Sequence, residues 1–301
     1  MTGPRFPPSD IRAYYDRHTR AFLRFGQGGG ALHRAVWGPG VRHRAQAFHW
    51  VEDRIVDLLR QETATEAVAH VVDLGCGVGT SLCHLAAREP IRGTGITLSP
   101  EQVALGRGRV ADLALSDRVT IVEGDFSDPP PNLAAADLAC AIEAFVHGRS
   151  AETFFAGCAR LVRPGGLVVI CDDVIRPTAD ARAGRAIERF RQGWHVNTLV
   201  DAGELRACAA AAGFEHVSRT DLTPWLELGR PRDRLIAALA PLLARLPGAE
   251  SRWGHLAGGS ALQECLRRGW IGYELAVFRR RAGLPSDGLQ APGNGPEAWS
   301  P

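Results

Sequence analysis

The chain has 301 residues, 45% of them hydrophobic and 23% charged, with 35 basic against 33 acidic groups for a net charge of +2. That apolar fraction excludes disorder as the main state, and the near-neutral balance gives no electrostatic case for nucleic acid or an anionic membrane surface. The length fits one large domain or two small ones, and lysine is absent, which reflects either a compositional bias of the genome or a use of guanidinium forks.

The first segment, Met1 to Asp10, is proline-rich without an apolar core, so no secretory signal is expected. Residues 11 to 62 read as helical, with an amphipathic segment from His49 to Leu59, and form an N-terminal helical cap over residues 1–62. From about His70 the pattern switches repeatedly between short apolar runs and helices. Val71 to Leu74 is a buried strand, followed by a glycine cluster and a helix from Thr80 to Arg88. Ile91 to Thr97 is a second strand. Ser99-Pro100-Glu101-Gln102 then opens a helix with a capping box, serine at the N-cap and proline at the first helical position. Val119 to Val122 and Ala136 to Ile142 are the third and fourth strands. A helix from Ala151 to Val162 stops at the turn Arg163-Pro164-Gly165-Gly166, and Leu167 to Cys171 is the fifth strand.

Helices follow at Asp180 to Gln192 and Asp201 to Ala212, then a strand at His216 to Leu222. A helical insertion over about 229–270 contains Asp233 to Leu246 and Ser260 to Trp270, and Tyr273 to Arg279 is the last strand. The expectation is a doubly wound α/β domain over residues 63–282, with a mostly parallel seven-stranded sheet, and a disordered tail over 283–301. No run of about 18 apolar residues predicts a membrane span. The seven cysteines are scattered and lack zinc spacing, so they read as reduced core thiols of a cytoplasmic protein, and no metal site is expected from them.

Asp73-Leu74-Gly75-Cys76-Gly77-Val78-Gly79 sits between the first strand and its helix. Gly75 and Gly77 let the backbone turn and approach a ligand, and Gly79 allows close helix–strand contact. A dinucleotide fold uses the same logic, but with G-x-G-x-x-G spacing. The run resembles the first motif of class I S-adenosylmethionine-dependent methyltransferases, with later motifs in order. The resemblance implies a Rossmann-like fold, S-adenosylmethionine as cofactor, and Asp73, Gly75, Gly77, Gly79, Asp125 and Phe126 as cofactor-binding residues. Asp125 stands where the family places an acid for the adenine amino group. The acid usual at the end of the second strand is missing, so Thr97, Ser99 or Gln102 takes the ribose hydroxyls.

Ala141-Ile142-Glu143-Ala144-Phe145-Val146-His147 resembles a run in sterol C-methyltransferases. An aromatic N-terminal block and Asp221-Leu222-Thr223-Pro224-Trp225 are similar to further blocks of those enzymes. The looser group includes bacterial geranyl diphosphate C-methyltransferases. It implies methylation of an alkene carbon in a prenyl or terpenoid substrate, in secondary metabolism. Methyl transfer to an alkene leaves a tertiary carbocation, which ring faces stabilise and a carboxylate deprotonates. Glu143 is the expected base, with His147 or a water as relay. Tyr14, Tyr15, Phe22, Trp37, Phe145, Trp194 and Trp225 are the expected substrate-pocket residues.

Alternatives stand beside these. Glu143 serves equally as a structural carboxylate or as the base of an O- or N-methyltransferase, and a cofactor-binding scaffold without methyl transfer is a third reading. The aromatics of the cap, Phe25 among them, serve equally as its apolar face. Asp172-Asp173 either holds Mg²⁺ with a diphosphate substrate or caps a helix. Arg17, Arg20 and Arg24 either grip a phosphate or form a solvated face. His195 is a lesser relay candidate. Gly26 to Gly30 is a hinge or a plain connection, and the apolar run 235–243 covers the pocket or mediates a homo-oligomer.

Overall fold

The computed structural model describes residues 4–25, 33–62, 68–231, 233–234 and 249–283. The strands are β1 (His70–Leu74), β2 (Arg92–Thr97), β3 (Val119–Glu123), β4 (Ala136–Ile142), β5 (Val162–Ile175), β6 (Phe214–Asp221) and β7 (Ile271–Arg280). They form one sheet in the order β3-β2-β1-β4-β5-β7-β6. β1 to β5 pair in parallel, and β7 runs antiparallel between β5 and β6. Strand order reverses between β1 and β4, and such a switch point opens a crevice beyond the carboxyl ends of the strands.

The helices are α1 (Pro8–Phe25), α2 (Arg44–Phe48), α3 (Trp50–Glu62), α4 (Thr80–Arg88), α5 (Pro100–Asp112), α6 (Ala151–Leu161), α7 (Arg182–Trp194), α8 (Ala202–Ala211) and α9 (Ala249–Arg268). α4 and α5 pack with β1 to β3 and α3 packs on α4, while α6 and α8 pack with β4 to β6. The central strands are buried along their apolar runs, as a sheet covered on both faces requires. α5 starts at the expected cap, with Ser99 Oγ accepting from the Gln102 amide. The capping box does not close, because the Gln102 side chain bonds Thr97 and Thr19 and the Ser99 amide donates to Thr97 Oγ1. All seven cysteines are free thiols, and all but Cys208 are buried. Among the described residues no helix is long and apolar enough to cross a membrane.

Two expectations about elements need correction. Residues 33–43 are not helical: Trp37-Gly38-Pro39-Gly40 breaks the pattern, with Gly40 at φ +86°. Val36 instead forms an antiparallel bridge with Leu226, and the Trp37 amide donates to the Trp225 carbonyl at 2.8 Å. That strap ties the cap to the last third of the chain. β5 is also longer than the run Leu167 to Cys171. The Arg163–Gly166 turn is looped out between the pairs Ala136–Val162 and Leu138–Leu167, and β7 pairs with β5 as far as Ile175. The strand so lengthened carries Asp172 and Asp173 into the crevice. The hinge run 26–30, most of the helix expected over 233–246, the apolar run 235–243, and the tail beyond residue 283 lie outside the described residues.

Candidate active site

A cavity of about 650 Å³ opens at the carboxyl ends of β1, β2, β4 and β5, roofed by α1 and walled by α7 and α9. Asp73, Gly75 and Gly77 line it, and Gly79 sits behind them at the start of α4. Gly75, Gly77 and Gly79 all have positive φ, of 82°, 54° and 71°. A Cβ on Gly75 would stand 2.4 Å from Ala144 Cβ, so the close approach of the loop to the end of β4 requires glycine. Beneath the loop, fully buried Glu52 accepts from His33 Nε2 at 2.8 Å and Ser81 Oγ at 2.9 Å, while its Oε2 has no partner. Burial opposes charge there, but Glu52 outweighs it and raises His33 to about 9. Burial, then Glu52, raises Asp73 to about 7. A glycine cradle backed by paired charges suits the amino-acid end of S-adenosylmethionine.

At the end of β2, Thr97, Ser99 and Gln102 line the cavity and are bonded to one another and to the cap. Thr97 Oγ1 donates to Gln102 Oε1 at 2.6 Å, and Gln102 Nε2 donates to Thr19 Oγ1 of α1 at 3.1 Å. The Ser99 hydroxyl donates to Asp16, also on α1. After β3, Asp125 faces the cavity beside Phe126, accepting from Arg149 at 2.9 Å and from the Ser127 amide at 2.8 Å.

Glu143 follows β4 with φ 52°, a left-handed conformation that costs a non-glycine residue about 1–3 kcal/mol and is held by its surroundings. Its Oε1 accepts from the Arg34 amide at 2.7 Å, from Arg34 Nε at 3.1 Å and from the Tyr273 hydroxyl at 2.9 Å. None of these three bonds uses Oε2, and the side chain keeps 16% exposure toward the cavity. His147, on the short 3₁₀ turn Phe145–His147, lines the same cavity. Its Nδ1 lies 3.3 Å from the His195 carbonyl and must donate there, so Nε2 accepts from the Tyr15 hydroxyl at 2.8 Å. Burial lowers His147 to about 4 and pushes the Tyr15 hydroxyl well up, so both are neutral at pH 7. His195 takes φ 53° at the end of α7, which aims its carbonyl at His147.

Asp173 is held by both terminal nitrogens of Arg34, each at 2.8 Å, and Asp172 accepts the Val146 amide at 3.1 Å at the start of the 3₁₀ turn. Burial and the neighbouring Asp173 push Asp172 well up. Among the described residues no three His, Cys, Asp or Glu side chains form a metal-binding cluster.

Of the expected pocket aromatics, Tyr15 and Trp194 line the cavity. Tyr14 packs one layer out, against His195 at 4.8 Å. Phe145 is a core residue, edge-on to Phe154 at 5.0 Å, because the 3₁₀ turn points it into the sheet packing. Trp225 packs against Trp50 at 5.2 Å, and Trp37 sits beside it on the strap; neither lines the cavity. The Phe22 and Phe25 side chains lie outside the described residues. Arg20 pairs with Glu101 on the exposed face of α1, and neither Arg17 nor Arg24 lines the cavity.

Sequence reasoning missed Arg34, Tyr273 and the His33–Glu52 pair. Glu52 had a signal, a carboxylate between Phe48 and Ile55–Val56 on an apolar helix face. Arg34 and Tyr273 had none, being 109 and 130 positions from the carboxylate they hold.

A sheet with an antiparallel seventh strand and a glycine loop at its switch point defines a Rossmann-like methyltransferase domain. A methyltransferase-domain family model matches residues 71–166. The O-methyltransferase cnsE of Penicillium expansum is 30% identical over 218 residues, covering 71% of this chain and 75% of that protein. The 24-methylenesterol C-methyltransferase 2 of Oryza sativa subsp. japonica is 29% identical over 235 residues, 73% of this chain and 63% of its own length. The geranyl diphosphate C-methyltransferase from Streptomyces coelicolor A3(2) shares the fold, with a TM-score of 0.64 at 20% identity over 93% of this chain and 100% of that one. The chain belongs to the class I S-adenosylmethionine-dependent methyltransferases. It is an enzyme, and S-adenosylmethionine is its methyl donor.

Proposed function

We propose that the enzyme methylates an alkene carbon of a prenyl or terpenoid compound of secondary metabolism, with Glu143 as the base. The observation that carries this reading is the Glu143 carboxylate itself. It is strained, fixed at one oxygen by three donors, and faces an otherwise largely apolar cavity at the end of β4. Gly75, Gly77 and Asp73 hold the amino-acid end of the cofactor, Thr97 and Gln102 its ribose, and Asp125 with Phe126 its adenine. The bound cofactor supplies an electrophilic methyl group, and its capture by an alkene carbon leaves a tertiary cation on the substrate.

The residues around that cation do three things. The rings of Tyr15, Phe190 and Trp194 face the cavity, and each desolvated ring face contributes about 1–2 kcal/mol to a nearby cation. α1 and α9 exclude water, which would trap it. Glu143 Oε2 takes the proton from the adjacent carbon, while Arg34 and Tyr273 keep the carboxylate from swinging toward the cation as a nucleophile. Glu143→Gln is expected to bind S-adenosylhomocysteine within about twofold of wild type by calorimetry and to lose at least ~100-fold in turnover. Unchanged turnover would falsify the base assignment.

A second reading, heteroatom methylation, has support in neutral His147, whose Nε2 accepts from the Tyr15 hydroxyl and so takes a substrate proton only by relay through Tyr15, and in the identity to an O-methyltransferase. In that case His147→Ala would abolish turnover and Glu143→Gln would not.

A further inference from the structure

Four arginines line the cavity among the described residues: Arg34, Arg44, Arg149 and Arg230. A head group gripped by guanidinium, without a bridging cation, would need at least one of them free to turn toward it. Each is instead engaged by a carboxylate. Asp173 holds Arg34 in a two-bond fork, with Glu143 on its Nε. Glu227 holds Arg44 by one nitrogen, Nη2, at 2.7 Å, while its Nη1 is buried without a hydrogen-bond partner. Asp233 holds Arg230 at 3.3 Å with Glu227 at 3.7 Å, and Asp125 holds Arg149 at 2.9 Å. Among the described residues seven carboxyl side chains line the cavity against these four arginines. The other cation, His33, is answered by Glu52.

Pulling Arg34 away toward a phosphate would leave Asp173, 2% exposed, as an uncompensated buried charge. A diphosphate brings two or more negative charges into a wall that already holds an excess of them. The arginines of α1 offer no substitute, because they lie off the cavity. The rest of the lining, including Ile11, Val146, Val196, Leu256, Leu262 and Leu266, is what an uncharged hydrocarbon chain requires.

We propose that the cavity takes an isoprenoid substrate with no diphosphate, and that Glu227, Asp233 and Asp173 set this specificity by committing the arginines that would otherwise grip an anion. The isoprenoid half rests on the proposed function above; the charge selectivity rests on the ion pairs alone. Substrate carriage as a free alcohol or as a prenyl group on a larger uncharged molecule satisfies it equally.

The test is calorimetry on the full chain saturated with S-adenosylhomocysteine, titrated with geraniol, geranyl diphosphate and inorganic pyrophosphate, the last two with Mg²⁺. Geraniol is expected to bind at least tenfold more tightly than geranyl diphosphate, and pyrophosphate to give no binding heat. Glu227→Gln, on a side chain 36% exposed, frees Arg44 and weakens the hold on Arg230, and is expected to gain at least tenfold in pyrophosphate affinity. Geranyl diphosphate binding more tightly than geraniol, pyrophosphate binding to the wild type, or no gain in the variant overturns the charge selectivity. If neither geraniol nor geranyl diphosphate binds, the isoprenoid reading falls, and the two pyrophosphate titrations still decide the selectivity.

Discussion

Glu143 is costly to hold where it is. Its backbone sits at φ 52°, and its Oε1 is bonded to the Arg34 backbone, the Arg34 side chain and Tyr273. Arg34 also lies over the Tyr273 ring at 4.1 Å, so the three groups support one another. Removing the hydroxyl in Tyr273→Phe deletes one hydrogen bond of about 1 kcal/mol without emptying the site. The expected result is a fall in kcat of about tenfold, with affinity for S-adenosylhomocysteine unchanged. Equal kcat in the variant would mean that Tyr273 packs but does not position. The sequence exposed Glu143 through the motif around it. It hid Tyr273, because a tyrosine inside an apolar strand reads as core until the β5–β7 register sets it opposite Asp173.

The cap and α9 show how elements build the site. α3 places Glu52 under the glycine loop, and the extended strap before α2 places His33 on it. Apolar periodicity predicts helix for the strap, because it says little about a segment whose backbone partners lie in residues 225 and 226. The His33–Glu52 pair has a pH signature. His33 is raised from 6.5 to about 9, so its stabilisation is fully present below pH 6.5 and is lost as pH rises toward 9. The shift corresponds to about 3 kcal/mol. Asp73, raised to about 7, loses its share lower, between about pH 4 and 7. Urea unfolding between pH 6 and 9 is expected to show the loss, and His33→Asn to flatten it above pH 7; a flat wild-type profile contradicts the pair.

α7 and α9 meet closely enough that a Cβ on Gly193 would stand 2.4 Å from the Gly254 carbonyl oxygen and 2.6 Å from Gly258 Cα. This contact sets Trp194 and the α9 wall around the cavity, with Trp194 Nε1 donating to the His255 carbonyl at 3.1 Å. Backbone cannot yield as a side chain does, so Gly193→Ala is expected to cost about 1–3 kcal/mol, outweighing the gain in helix propensity. A lowered Tm by differential scanning calorimetry is the readout, and a raised one excludes the close contact.

At the scale of the whole molecule, the strand order and the glycine loop were legible because both follow from local patterns: buried apolar runs, caps and turns. The Ser99 cap opens the predicted helix at the residue expected, and helix Thr80–Arg88 has the expected bounds. What was not legible is the meeting of distant segments. The cavity wall is assembled from α1, α7 and α9, while Phe145 and Trp225, which the resemblance implies for the pocket, face the core and Trp50 of α3 instead. The absence of lysine also gains content from the structure: Arg34 at the cavity is a fork locked onto both oxygens of Asp173, a geometry that an ammonium does not reproduce.

The central claim is that the methyl group goes to carbon. It is tested by incubating the enzyme with S-adenosylmethionine labelled with ¹³C in the methyl group and with uncharged prenyl alcohols, geraniol and farnesol, and reading the products by NMR and mass spectrometry. The account predicts a labelled methyl bonded to a former alkene carbon, with one C=C shifted or restored after proton loss. A labelled methyl ether, on the hydroxyl oxygen of the same molecules, would contradict it.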